Sequence, residues 1–347
     1  MELLLILREE SQQNKGEMNI LIVGFGKVGK IRYEILKKKN FIKKIYIYDP
    51  FINNEIKKGI VLDNLNNLEL LNIKAAFISV PTFLAAKYTK FFLNLNIHVF
   101  CEKPPATKIK DLKIIKKTIK KKKNINLMYG FNHRHHNSIK KILDIIKKNK
   151  YGEVLWIRSR YGKPIDNNYL KGWRGNKKKS GGGILFDQGI HVLDLIILLL
   201  GKIVKVKSIL NNNFIKKNIE DNAFIILENK KKQTASIHST LTQWRHLFAI
   251  EIFFERGFAV LNGLKTPSGK YGQEVLSYCK NSKKPPEIKW LKINKEKFNV
   301  DKSFENETNI FLNSLKNKKK ILSCNIDDAL YLMEIVNKIY KENKMLN

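Results

Sequence analysis

Apolar positions change their spacing partway along the chain, and the change divides it in two. From residue 18 to about 130, short apolar runs alternate with stretches of helical period. NILIV (19–23) reads as a buried strand, and KVGKIRYEILKKK follows with Val28, Ile31, Ile35 and Leu36 on one helical face. KIYIYD (44–49), KAAFISV (74–80), IHVFCEK (97–103) and INLMYG (125–130) read as four further strands. Helical FLAAKYTKFFLNL and a lysine-rich helix around 108–122 fall between them. Strand and helix in alternation imply a parallel sheet with helices on both faces.

After a helix near 136–149 the strands come at short spacing: EVLWIRSRYG, IVKVKSIL, AFIILEN, TASIHSTLTQ, LFAIEIFF and GFAVLNG. ERG (255–257) reads as a hairpin turn. One helix, about 183–200, interrupts this series, and NIDDALYLMEIVNKIYKEN closes the chain as a helix (325–343) with Ala329, Leu332, Ile335 and Val336 on one face. The expected organisation is an α/β dinucleotide-binding domain at 18–134 and a domain with an open, mostly antiparallel sheet at 135–347. Residues 1–17 read as an extension outside the core, with Met18 as an alternative start of translation. An uncovered sheet face in the second domain calls for a homodimer or homotetramer.

Length and composition support two domains with sizeable cores: 347 residues, 43% of them hydrophobic. No run of about 18 apolar residues appears, because Asp187, His191 and Asp194 break the best candidate, so a membrane span is not expected. Three scattered cysteines argue against a disulfide framework or a cysteine zinc site and fit a reducing cytoplasm. The net charge of +35 raises a nucleic-acid reading. The lysine clusters recur along the whole chain, however, and only eight residues are arginine. The excess therefore reads as solvated surface that also attracts anionic substrates, not as a nucleic-acid groove.

GFGKVG (24–29) places Gly24, Gly26 and Gly29 in G-x-G-x-x-G spacing, directly after a buried strand and opening a helix. That context permits a tight turn and close approach of a pyrophosphate to free helix N–H groups, with Phe25, Lys27 and Val28 supplying the rest of the loop. Asp49 ends the second strand, where an acid binds ribose hydroxyls and repels a 2′-phosphate; NAD is therefore expected over NADP. Pro81, after the third strand, and Glu102, at the end of the fourth, are assigned to the same cofactor site.

Lys103, in CEKPP, also stands at a strand end, where ligands gather in open parallel sheets. GGGILFDQGIHVLD (181–194) puts Asp187 and His191 four apart on one helical face. Three readings compete. Asp187 could cap the helix beside a core histidine; Asp187, His191 and Asp194 could hold a metal; or an imidazole oriented by a carboxylate could accept a hydroxyl proton while Lys103 stabilises an alkoxide.

In that order and spacing, GFGKVG, Asp49, CEKPP, GFNHRHH and GGGILFDQGIHVLD resemble the Gfo/Idh/MocA oxidoreductases over about residues 18–343. The family includes glucose–fructose oxidoreductase and inositol 2-dehydrogenase. The resemblance implies a Rossmann domain, an open-sheet domain and a metal-independent active site between them. Lys103, Asp187 and His191 fall on its catalytic positions, with a cis Lys103–Pro104 bond. Asp194 then reads as structural. Arg134, Arg158, Tyr161, Trp173 and Arg174 lie near the motifs as groups for an anionic sugar. His133, His135 and His136 read as a cluster connecting the domains. Segments such as NHRHH, SRYGK and YLKGWR are similar to members acting on nucleotide-linked sugars in surface-polysaccharide gene clusters. The expected activity is hydride transfer between NAD and a secondary hydroxyl or ketone of a phosphate- or nucleotide-linked sugar. A dehydrogenase of a free sugar or inositol, or a non-catalytic sensor of the same fold, is the alternative.

Overall fold

The computed structural model describes residues 17–52, 56–281 and 292–344; residues 1–16 of the expected extension lie outside them. The first half builds strands β1 (Met18–Val23), β2 (Ile42–Tyr48), β3 (Ile60–Val61), β4 (Ile73–Ile78), β5 (His98–Glu102) and β6 (Leu127–Gly130). They form one all-parallel sheet in the order β3-β2-β1-β4-β5-β6. Helices α1 (Lys27–Leu36), α2 (Thr82–Asn94) and α3 (Ile109–Lys120) connect strands of the sheet. With helices on both faces, the central strands bury nearly every residue, which explains their continuous apolar runs.

Register sets the site. Val23 lies level with Tyr48 and Ile78, Ile78 with Cys101, and Cys101 with Tyr129. Gly24, Asp49, Ser79, Lys103 and Phe131 therefore all leave the sheet at or just beyond its carboxyl edge.

The face of α1 differs from expectation. Gly29, Arg32, Tyr33 and Leu36 are buried, while Val28, Ile31 and Ile35 are only half-buried. Arg32 reaches the interior because Glu102 and Glu307 meet its guanidinium and Phe100 and Phe304 sandwich it at 4.3 and 4.9 Å. A buried charge needs such partners, and these stand far away in sequence.

The second half begins with α4 (Asn137–Lys147) and β7 (Val154–Pro164), followed by short α5 (Asn167–Lys171) and α6 (Lys177–Ser180). A π-helical turn, Leu185–Gly189, then runs into α7 (Ile190–Leu200). Strands β8 (Ile203–Asn211), β9 (Asn222–Asn229), β10 (Thr234–Thr240), β11 (Thr242–Phe254), β12 (Gly257–Asn262), β13 (Glu274–Lys280) and β14 (Asn294–Phe298) complete an eight-stranded sheet. Its order is β14-β13-β12-β11-β7-β10-β9-β8, antiparallel except where β7 and β10 pair. α7 packs on one face against β7 and β10. The other face shows Trp156 stacked on Phe253 and Phe224 stacked on His238, with Ile226 48% exposed. The helical stretch 177–200 is apolar and long enough to cross a membrane, but its most apolar window is 78% buried within the fold.

β13, β14 and α8 (Ser303–Lys316) have no counterpart in the apolar pattern, because NKEKF and SFENETNIFLNSLK are mostly polar. α9 (Ile326–Glu342) follows the expected closing helix and buries Ala329, Leu332, Ile335 and Val336. α9 touches the second sheet, where the Ile203 N–H of β8 donates to the Tyr331 hydroxyl, but α8 and the segment after it lie against the first. Phe311 of α8 packs edge-on against Phe77 and Phe100. Asn126 donates to Ser314 Oγ and to the Lys319 carbonyl, and the Tyr129 N–H to the Cys324 carbonyl. A boundary at 134/135 thus misplaces α8 in space: it completes the first domain.

Candidate active site

The glycine loop has the geometry a dinucleotide needs. Gly24 has φ +87°, and a Cβ there would lie 2.6 Å from the Ser79 carbonyl oxygen. A Cβ at Gly29 would lie 2.1 Å from the Gly24 carbonyl oxygen, so only glycine lets α1 pack this close to the loop. A Cβ at Gly26 would meet nothing, leaving open space at the N-terminus of α1 for a pyrophosphate. Asp49 folds back beneath the loop: its Oδ2 accepts from the Phe25 N–H at 2.6 Å and its Oδ1 from the Phe51 N–H at 3.0 Å. Lys27 is exposed, Val28 half-buried, and half-buried Pro81 starts α2 from the same edge. These residues fit NAD.

Lys103, Tyr161, Lys163, Trp173, Arg174, Asp187, Gln188 and His191 share one open pocket of about 360 Å³ where the two domains meet. A larger hollow, of about 560 Å³, lies around the Asn149–Val154 and Leu199–Lys202 segments and holds none of the expected groups. The Lys103–Pro104 peptide is cis, and Lys103 Nζ donates to the Asp187 carbonyl at 2.5 Å. Desolvation lowers the Lys103 pKa to about 8; Arg174 and Lys163 push the same way, and Asp187 opposes them. The Asp187 carboxylate accepts from Lys163 Nζ at 2.7 Å and lies 3.5 Å from Arg174 Nε. Burial disfavours its charge, but Lys163, Lys103 and Arg174 overcome this and hold it well below the usual carboxylate range. Asp187 therefore caps nothing.

The glycines before Asp187 serve packing. A Cβ on Gly182 would strike the Tyr340 hydroxyl and one on Gly183 the Glu220 carbonyl. Glu220 accepts from Gly183, Leu185 and Tyr340 and so fixes the entry to the π turn.

His191 is not oriented by Asp187. It lies on His133, ring centroids 3.8 Å apart and planes 24° apart. Its Nδ1 is buried without a partner. Burial, then His133, Lys103 and His136, keep its pKa well below the usual imidazole value, so the ring is neutral.

Three sequence assignments find other partners. Arg134 is buried and bidentate to Asp194, at 2.7 and 2.5 Å, and it also donates to Asp328. This gives Asp194 its structural role and takes Arg134 away from substrate. Arg158 pairs with Glu251 on the outer sheet face, beside Phe224 and His238 rather than the pocket. Glu102 Oε1 holds Arg32 rather than the dinucleotide loop. Lys163 went unassigned and His133 was read only as joining the domains, although His133 follows the carboxyl edge of β6, a position that favours ligands in open parallel sheets. Tyr161 and Trp173 line the pocket as expected, with Arg174 Cζ 4.4 Å above the Trp173 ring.

Comparison with known proteins agrees with this architecture. Residues 18–131 match the NAD-binding Rossmann fold of an oxidoreductase family, and residues 139–260 match the GFO/IDH/MocA C-terminal domain. The chain is 25% identical to the uncharacterized oxidoreductase YrbE of Bacillus subtilis over 69% of its own length and 72% of the relative's. It is 27% identical to myo-inositol 2-dehydrogenase of Thermotoga maritima over 54% of its length and 56% of the relative's. Among solved structures, levoglucosan dehydrogenase with NADH aligns at TM-score 0.79 and 18% identity, covering 94% of this chain and 97% of that one. A 3-ketoreductase from Actinomadura kijaniata with NADP and TDP-benzene aligns at 0.78 and 16%, covering 94% and 98%. Glycine loop, strand-end lysine, π turn and two-sheet architecture stand together in one chain, which belongs to the Gfo/Idh/MocA oxidoreductase family.

Proposed function

We propose that this protein is an NAD-dependent dehydrogenase acting on a secondary hydroxyl of a sugar that carries a phosphate or nucleotide. The observation that carries the reading is the pocket in which Lys103, Asp187 and His191 meet with Lys163 and Arg174 beside them. NAD, when bound, supplies the hydride acceptor. Neutral Lys103, with its depressed pKa, takes the hydroxyl proton at Nζ, and neutral His191 hydrogen-bonds the same oxygen from its pocket-facing nitrogen. Asp187 anchors Lys163 and Arg174 instead of shuttling a proton. Arg174 is nearly half exposed and rests on Trp173, so it has donors free for an anionic oxygen while the indole offers a face to sugar or base. Asp49, followed directly by Pro50 and Phe51 rather than by a cation, favours NAD over NADP.

Family likeness supports the chemistry. The relatives include a glucose-6-phosphate 3-dehydrogenase of Bacillus subtilis, 26% identical over half of this chain. The open sheet face, with Trp156, Phe224 and Ile226 on it, suits a second copy of the chain, and the three free cysteines suit a reducing cytoplasm. The test is a screen of NAD reduction against nucleotide sugars, sugar phosphates, free sugars and inositols. Turnover confined to phosphate-bearing sugars supports the reading. Equal kcat/KM for the free sugars refutes the anion, and no turnover in the presence of bound NAD refutes the enzyme.

A further inference from the structure

We propose that His133 is the positioning residue of His191, a role that rests on the dehydrogenase reading above. His191 has no hydrogen bond that fixes its ring, and the carboxylate four residues earlier is spent on Lys163 and Arg174. What lies against the ring is His133, face to face at 3.8 Å.

His133 is itself held by a chain whose hydrogens can be counted. Asn132 donates from Nδ2 to Ser303 Oγ, so its Oδ1 is the acceptor that faces His133 Nδ1 at 3.2 Å. His133 Nδ1 must then carry the proton, and Nε2 is an acceptor. The Tyr161 hydroxyl, 3.3 Å from Nε2, supplies the hydrogen. Beyond Tyr161 stands Tyr271, with ring centroids 5.2 Å apart, and Tyr271 accepts from Gln188 Nε2 at 2.6 Å. The hydrogen-bonded order runs Tyr161, His133, Asn132, Ser303. It starts at the pocket wall, crosses behind His191 and ends on α8 of the first domain. Around the two rings stand Lys103, His136, which is bonded to Glu274 at 2.9 Å, and Phe248. Every member of the chain is neutral, so it fixes orientation without moving charge.

His133→Ala and His133→Phe test this beside the wild type. A lost ring leaves His191 free to turn, and misplacement of a reacting group costs roughly tenfold to a hundredfold. His133→Ala should therefore lose about that much kcat with KM little changed, and His133→Phe, which keeps a flat ring, should recover most of it. Independently of turnover, 15N spectra should show His133 as the Nδ1–H tautomer. The His191 ring protons should be shifted upfield by the stack; that shift should vanish in His133→Ala and persist in Asp187→Asn. Full kcat in His133→Ala, an Nε2–H tautomer, or a His191 shift that depends on Asp187 overturns the proposal. If the wild type oxidises no sugar, the dehydrogenase reading fails and the spectra still decide the positioning. If His133→Ala does not fold, His133→Phe and the wild-type spectra decide it.

Discussion

Replacing Asp187 by Asn and, separately, Lys163 by Met should move the pH dependence of sugar oxidation in opposite directions. A base must be neutral to accept a proton, so oxidation is lost as pH falls through the pKa of Lys103, about 8 in the native site. Such a group is neutral in roughly a tenth of molecules one unit below its pKa and in nine tenths one unit above, so kcat/KM should rise nearly tenfold across that window. Desolvation is the largest cause of the depressed value and is unchanged in both variants. Asp187 favours the ammonium, and losing its charge also leaves Lys163 and Arg174 uncompensated, so the inflection should fall in Asp187→Asn. Lys163 disfavours the ammonium, and its removal frees Asp187 to act on Lys103 alone, so the inflection should rise in Lys163→Met. A charge at this range shifts a pKa by about one unit or more. The assay is initial NADH formation at saturating NAD and low sugar, because kcat/KM reports the free enzyme. Its height will differ between variants; only the inflection matters. Inflections that stay in place, or that both move the same way, refute Lys103 as the base.

Four further outcomes follow from the geometry. Lys103→Ala and His191→Ala should each lower kcat by at least roughly a hundredfold with little change in NAD affinity; near-normal turnover in both would refute the site. Gly29→Ala should weaken NAD binding at least about tenfold in calorimetry, because its Cβ would sit 2.1 Å from the Gly24 carbonyl oxygen and force α1 off the loop. Arg134→Leu should cost about 3–5 kcal/mol in chemical denaturation, since it strands the buried Asp194 carboxylate, while the KM for sugar stays unchanged; a raised KM at full stability would return Arg134 to the substrate. Asp49→Ser should raise kcat/KM with NADPH relative to NADH, and an unchanged ratio would show that Asp49 does not select the cofactor.

Sequence carried the parallel sheet, the glycine loop and the strand-end lysine, because each depends on residues close together in the chain. It also carried the order of the family motifs. It missed what depends on distant partners. Arg134 looked like a free guanidinium until Asp194 and Asp328 closed on it. Arg158 sat on an alternating strand whose outward parity could be counted but whose uncovered face could not be known. His133 and His191 stand 58 positions apart and meet only through the docking of α7 on the segment after β6. Gly182 is required by Tyr340, at the far end of the chain, which nothing near the glycines could reveal.

The return of α8 to the first sheet bears on how the protein is made. A ribosome that has released residues 18–134 has released every strand of the parallel sheet, yet Arg32 is still without Glu307, and Phe77 and Phe100 without Phe311. A fully buried phenylalanine is worth about 3–5 kcal/mol, and the Arg32 guanidinium is left with Glu102 as its one carboxylate of the two. The nascent domain therefore waits, incomplete, while the whole second sheet is synthesised. A gene cut at the apparent domain boundary would yield a fragment in the same unfinished state.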